Sequence, residues 1–177
     1  MMDTPSISVV LLAFNEAENL PHMLEESVDW LQENIRQWEI IVVDDGSTDA
    51  TRSIAEQWSQ KEARIRVLVH PMNQGMGAGM KTGIEAAQSE YFTIIAADGQ
   101  HATSELGRMV DGLGEADIVT TYHENQREPT RRFLSWGFRR AMKWACGIDF
   151  VLEGIYLFPK RVAVDEIGLA AIPADTF

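Results

Sequence analysis

Four short stretches of this 177-residue chain carry side chains whose types and spacing can do chemistry. Val42-Val43-Asp44-Asp45-Gly46-Ser47 sets two adjacent acids at the end of an apolar run, where carboxylates can reach a ribose diol or base N–H groups and Gly46 allows a sharp exit. The same acids at a helix N-terminus would also make a stable turn, so this stretch alone admits both readings. Asp98-Gly99-Gln100-His101 sets a carboxylate two residues before an amide oxygen, a pair of hard ligands suited to holding Mg²⁺ or Mn²⁺ against a diphosphate. Between them, Gly75, Gly77 and Gly79 alternate along the chain and let a backbone come close to a ligand, while Lys81 supplies a cation. Further on, Arg127, Arg131, Arg132, Arg139, Arg140 and Lys143 are opposed only by Glu128. The arginines suit bidentate binding of phosphate, and a solvated charged face is the plainer alternative.

These stretches need elements to position them. Residues 7–13 are β-branched and almost continuously apolar, as suits a strand buried on both faces of a parallel sheet. Asn15 then reads as an N-cap with Glu18 at the third helical position, and Leu20, Met23, Leu24, Val28, Leu31 and Ile35 recur at helical spacing. The unit repeats: residues 39–43 read as a strand, 48–60 as a helix capped by Ser47 or Thr48, and 65–69 as a third strand. A helical stretch ends over residues 83–87. A strand follows over 91–97, a helix over 104–113 and a strand over 118–122. Strands alternating with helices imply right-handed crossovers, a mostly parallel sheet, and a ligand crevice at the carboxyl ends of the strands. The acids and glycines above fall in that crevice. The glycine run follows the third strand, whereas a dinucleotide-binding fingerprint follows the first, so that reading is set aside.

Composition bounds the rest. A net charge of −12 argues against a nucleic-acid partner, whose binding depends on neutralising phosphates. No apolar run approaches the roughly 18 residues of a membrane-spanning helix, and the first residues lack a secretory pattern, which reads as a cytoplasmic chain. Cys146 is alone and lies in an apolar context, as a buried thiol would. From residue 130 to 146, Leu134, Phe138, Ala141, Met142 and Ala145 share one helical face, and Arg132, Trp136, Arg139 and Lys143 another. Such a basic, aromatic face suits peripheral contact with the inner, anionic face of a membrane.

Taken together, Phe14-Asn15-Glu16-Ala17-Glu18-Asn19-Leu20-Pro21, residues 42–51, residues 73–83 and Asp98-Gly99-Gln100-His101 resemble the ordered signatures of family 2 glycosyltransferases. Within that family they are most similar to the enzymes that load a sugar onto dolichyl or polyprenyl phosphate. The resemblance implies an α/β fold of the GT-A type, Rossmann-like, with a mostly parallel sheet flanked by helices, and residues 1–177 as one such domain. It implies inverting transfer from a nucleotide-sugar donor, GDP-mannose or UDP-glucose in type, to a polyprenyl phosphate. Transfer to a saccharide or protein hydroxyl, and a nucleotide-sugar-binding module without turnover, are the alternatives.

Carried over by position, Ala13, Phe14 and Glu16 frame the nucleotide, and Asp45 with Asp44 holds its base or ribose. Gly75, Lys81 and Ala97 complete the donor site. Asp98 and Gln100 meet the Mg²⁺ or Mn²⁺ ion. Apart from the resemblance, the basic segment itself suggests that Arg127, Arg131 and Arg132 contact phosphate groups, so that Asp98, Arg127 and Arg131 are the candidate catalytic residues. The family's Asp-x-Asp has Ala96 in its first position here, so the donor diphosphate would have to supply most of the metal's ligands. Tyr156 stands where the family carries a cation, and Leu12 where it commonly carries Pro. Family members continue beyond the position of Phe177, so the resemblance implies either truncation at the C-terminal end or a short relative.

Overall fold

The computed structural model describes residues 5–101, 103–113, 119–120 and 156–161. All of them belong to one compact unit of the chain. In chain order they form β1 (Ile7–Ala13), α1 (Leu20–Asn34), β2 (Trp38–Asp44), α2 (Thr51–Lys61), β3 (Ile65–Val69), α3 (Met76–Ala86) and β4 (Tyr91–Ala96). A 3₁₀ turn (Thr103–Glu105), α4 (Leu106–Asp111), β5 (Val119–Thr120) and β6 (Tyr156–Pro159) follow.

The strands lie in the order β3-β2-β1-β4-β6-β5. The first four are parallel, and β6 runs antiparallel to both β4 and β5. β1 is central, and its side chains divide by parity, as the pleat requires. Ile7, Val9, Leu11 and Ala13 join the core beneath α1 and α4, with Leu20, Leu24, Leu31, Leu106 and Met109. Val10 faces the other way and joins Ile41, Val43, Ile84 and Phe92 beneath α3. Burial on both faces is why β1 and β2 read as nearly unbroken apolar runs.

α3 is held close to the sheet by a small residue. A Cβ at Gly83 would sit 2.2 Å from Cγ1 of Val10, an overlap that only glycine avoids. Gly79 packs over Leu12 in the same way, at 3.3 Å. The glycines of this helix therefore serve helix-on-sheet packing as well as any ligand, which amends the expectation that Gly75, Gly77 and Gly79 all face one.

The helix starts differ from the sequence reading. Asn15 does not cap α1: it takes φ of +57°, and α1 begins five residues later behind Asn19. Neither Ser47 nor Thr48 caps α2, which begins at Thr51 behind Ala50. In both places the polar side chains bond across loops instead of along the chain. The helix expected over 104–113 divides into the 3₁₀ turn and the short α4. β6 was not anticipated. Its Phe158 ring stacks on Phe92 of β4, with centroids 5.4 Å apart. Among the described residues no helix is long and apolar enough to cross a membrane.

Candidate functional site

Strand register sets the site. Ala13 pairs with Asp44 across β1 and β2, and Leu12 with Ala96 across β1 and β4, so the three strands end at nearly one level. The ladder continues one step beyond them: Asp45 N–H donates to the Ala13 carbonyl at 2.9 Å and Ala97 N–H to the Leu12 carbonyl at 2.8 Å. Phe14, Asp45 and Ala97 are thus delivered to the same edge. Consecutive strands lie on opposite sides of β1, which makes this edge the switch point where open α/β sheets bind ligands.

A cleft of about 280 Å³ opens there. Its walls come from the end of β1 and the following loop (Leu12, Ala13, Phe14, Glu16), from Val43 and Asp45, from the start of α3 (Asn73, Gly75, Met76, Gly79), and from Ala96, Ala97 and Asp98. Phe14 and Met76 are exposed large apolar side chains, at 44% and 61%, and both border the cleft. The lining holds three acids, Glu16, Asp45 and Asp98, and no Lys or Arg among the described residues.

Asp45 is buried, and its carboxylate is heavily engaged. Oδ1 accepts the Gln74 N–H at 2.9 Å and lies 2.6 Å from Nδ1 of His70, while Oδ2 accepts the Gly75 N–H at 2.9 Å. Gly75 has φ of +88°, a conformation that glycine adopts at no steric cost, and it stands immediately before α3 at the cleft wall. Asp98 is half-buried, and its Oδ1 accepts the Gln100 N–H at 3.0 Å in a local turn that passes through Gly99 at φ +72°. Glu16 accepts from the Asn19 side chain at 2.8 Å.

The loop bearing Phe14 and Glu16 is pinned from the side. Asn15 N–H donates to Ser47 Oγ at 2.9 Å, Glu16 N–H to Thr51 Oγ1 at 2.8 Å, and Ala17 N–H to Asp49 Oδ2 at 3.2 Å. Asp49 also accepts the side chain and backbone N–H of Thr51. These bonds hold its carboxyl below the usual range, with the Thr51 hydroxyl the largest contribution.

Of the residues expected to hold a donor, Ala13, Phe14, Glu16, Asp45, Gly75, Ala97 and Asp98 line the cleft. Three others do not. Asp44 is 1% exposed and lies outside the cleft lining, and its Oδ1 accepts the Ser47 N–H at 3.1 Å in the turn after β2. Gln100 is exposed and meets Asp98 through its backbone N–H. Lys81 is two positions, about 200° of helix rotation, beyond Gly79, which packs on the sheet, so it sits on another side of α3. Arg127 and Arg131 lie outside the described residues, as does the basic helix expected over 130–146. His101 Nδ1 lies 4.0 Å from Glu105.

The sequence reading missed Met76 and Asn73 as wall residues, and it missed His70 and the Ser47, Asp49 and Thr51 contacts entirely. Hydroxyls and an acid clustered within five residues after a strand were the available signal for the last three.

Comparison with known proteins adds to this geometry. The sequence model described as "Glycosyl transferase family 2" matches residues 8–163. A dolichyl-phosphate beta-glucosyltransferase of Trichomonas vaginalis is 28% identical over 172 residues, covering 88% of this chain and 51% of its own length. The human dolichyl-phosphate beta-glucosyltransferase is 31% identical over 183 residues, covering 90% of this chain and 56% of its own. The chain thus spans about half the length of the curated relatives it matches. Among solved structures, a mannosyltransferase of Pyrobaculum calidifontis in complex with GDP-Man and Mn²⁺ superposes with a TM-score of 0.68 at 22% identity, covering 97% of this chain and 48% of that one. At that identity the likeness speaks for the fold, a GT-A glycosyltransferase fold.

Proposed function

The chain belongs to glycosyl transferase family 2, and from the cleft we propose that it binds a nucleotide-diphosphate sugar and transfers the sugar to a polyprenyl phosphate. The observation that carries this reading is the convergence of the loops after β1, β2 and β4 and the start of α3 on one cleft at the carboxyl edge of the sheet. An apolar rim at Phe14 and Met76 suits the flat face of a base. The first-turn amides of α3, which begins just after Gly75 on the cleft wall, suit an anion.

The acidic lining bears on the cofactor. A diphosphate beside Glu16, Asp45 and Asp98 needs a cation, and no described lining residue supplies one. Among the described residues no group of three or more His, Cys, Asp or Glu is placed to hold a metal. A divalent ion would therefore be held by Asp98 together with the donor's own phosphates, as Mg²⁺ commonly is. Bound there, the ion would neutralise charge on the departing diphosphate. One solved structure that this fold matches contains Mn²⁺ and GDP-Man.

The acceptor assignment is supported by the dolichyl-phosphate relatives and by chemistry. A phosphate monoester is already an anion near neutral pH and needs no base to remove a proton. Its oxygen attacks the anomeric carbon as the bond from that carbon to the diphosphate oxygen breaks, inverting the centre and releasing the nucleoside diphosphate. Asp98 would hold the divalent ion beside the leaving diphosphate, and Arg127 and Arg131 are proposed to hold the phosphates. A donor-binding module without turnover is the second reading, favoured by Ala96 on the cleft wall where the family carries an acid.

Calorimetric titration with UDP, GDP and their glucose and mannose conjugates, in Mn²⁺ or EDTA, tests the donor site. The expected outcome is metal-dependent binding of one nucleotide that is lost in Asp98→Ala. Incubation with the preferred donor and a short-chain polyprenyl phosphate then tests transfer: donor binding without product would leave the binding module.

A further inference from the structure

His70 is a buried histidine that lines no part of the cleft yet touches one of its acids. It follows β3 directly, and its backbone N–H donates to the Asp44 carbonyl at 2.9 Å, which fixes where the ring can go. Nδ1 lies 2.6 Å from Asp45 Oδ1, and Nε2 lies 2.9 Å from Thr82 Oγ1 on α3. An ionised carboxylate only accepts, so Nδ1 carries its proton toward Asp45. The Thr82 hydroxyl can either donate to Nε2 or accept from it, so the ring is satisfied at both nitrogens.

The consequence falls on the cleft wall at the start of α3. Asp45 uses its two oxygens to hold the N–H groups of Gln74 and Gly75, each at 2.9 Å. Those residues form the turn into α3, and Asn73, Gly75 and Met76 beside them line the cleft. The turn is thus only as well placed as the Asp45 carboxylate, which His70 holds from behind and ties to α3 itself. We infer that His70 is a positioning residue of the donor cleft: with its ring oriented by Thr82, it acts through Asp45 to fix the turn at Gln74 and Gly75, and with it the wall against which a nucleotide lies. The inference rests on the reading of this cleft as a donor site. It assigns His70 no contact with substrate.

Atom-level replacement separates positioning from simple packing. An Asn amide at position 70 reaches the place of Nδ1 and can still donate to Asp45, whereas a Gln amide reaches the place of Nε2 and meets Thr82 instead. His70→Asn, His70→Gln and His70→Leu are titrated with UDP and GDP in Mn²⁺, and amide hydrogen exchange is followed at Gln74 and Gly75. His70→Asn is expected to bind nucleotide as the wild type does. His70→Gln and His70→Leu are expected to bind about tenfold more weakly, as loss of one hydrogen bond to a charged group implies, with faster exchange at Gln74 and Gly75. Wild-type affinity in both of the latter variants would overturn the assignment, and so would a folded His70→Asn that binds as weakly as His70→Gln. Should His70→Leu fail to fold, the Asn and Gln pair still decides. Should the wild type bind neither nucleotide, the donor reading fails separately, and unchanged exchange at Gln74 and Gly75 in His70→Gln would then overturn the positioning role.

Discussion

The side-chain oxygen of Asn15 accepts the backbone N–H of Thr48 at 2.8 Å and its hydroxyl at 3.2 Å, across 33 residues of sequence. The loop after β1 and the loop after β2 are thereby one clasp, reinforced by the bonds from Asn15, Glu16 and Ala17 to Ser47, Thr51 and Asp49. Phe14 and Glu16, which face the cleft, stand on this clasp rather than on a regular element.

Thr51 is its buried centre, at 0% exposure, accepting from Glu16 N–H and donating to Asp49 with the same oxygen. Thr51→Val keeps the shape and removes both bonds, leaving the Glu16 N–H without its acceptor. The expected destabilisation is about 1–3 kcal/mol, read by urea denaturation. Nucleotide affinity is expected to fall alongside it, because the loop bearing Phe14 loses its anchor. Unchanged stability and affinity would show that the remaining bonds of the clasp suffice.

How legible this was depended on the range of the interactions. β1 and β3 were read with their observed limits and β2 and β4 to within a residue, because burial on both faces writes an apolar run into the sequence itself. The starts of α1 and α2 were misread because Asn15, Ser47 and Thr48 bear the usual capping side chains but spend them on one another, 32 or 33 residues away. Local pattern holds no trace of such a pairing. His70 was invisible for the same reason: a single histidine at a strand end says nothing of Asp45, which is 25 residues earlier. β6 lies at the end of a long excursion and pairs antiparallel, against the parallel pattern that precedes it.

Gly83 offers a packing test. Its hypothetical Cβ lies 2.2 Å from Val10 Cγ1 and 3.3 Å from Val10 Cβ, so Gly83→Ala forces α3 off the sheet or Val10 out of place. Overpacking of this kind destabilises by about 1–3 kcal/mol, outweighing the better helix propensity of alanine. Denaturation of Gly83→Ala should show that loss, and Val10→Ala added to it should cost less than Val10→Ala alone in the wild-type background. Simple additivity of the two changes would argue that the helix moves as a body instead.

The amino edge of the sheet carries a pH dependence. Burial acts to raise the pKa of Glu39, but hydrogen bonds from Ser8, the Gln88 N–H and Arg66, with the charge of Arg66, outweigh it and leave the carboxyl below its ordinary value of 4.5. The contacts join β1, β2, β3 and the turn before β4: Ser8 Oγ at 2.6 Å, Gln88 N–H at 2.6 Å and Arg66 at 2.7 Å. A depressed folded-state pKa means that the unfolded chain takes up the proton first as pH falls. The stabilisation is therefore complete above the ordinary glutamate range and is lost as pH drops through the lower folded value. Melting temperature followed from pH 7 downward should fall less steeply below about pH 4.5 in Glu39→Gln than in the wild type. Parallel curves would place the acid sensitivity elsewhere.

Phe14 and Lys81 make opposite claims on the same ligand. Phe14 is 44% exposed on the cleft wall, held there by the clasp, and its ring is free to cover the face of a base. Lys81 was the cation nearest the glycine run in sequence, yet it lies outside the cleft lining, on another side of α3 from Gly79. Phe14→Ala is expected to weaken nucleotide binding by about 1–3 kcal/mol, the usual worth of a base stacked on an aromatic ring, while Lys81→Ala leaves the affinity unchanged. The contrast is measured by the same calorimetric titration, with melting temperatures confirming that both variants are folded. A loss on Lys81→Ala equal to that on Phe14→Ala would mean that the ligand extends along α3 beyond the cleft, with Lys81 reaching its phosphates.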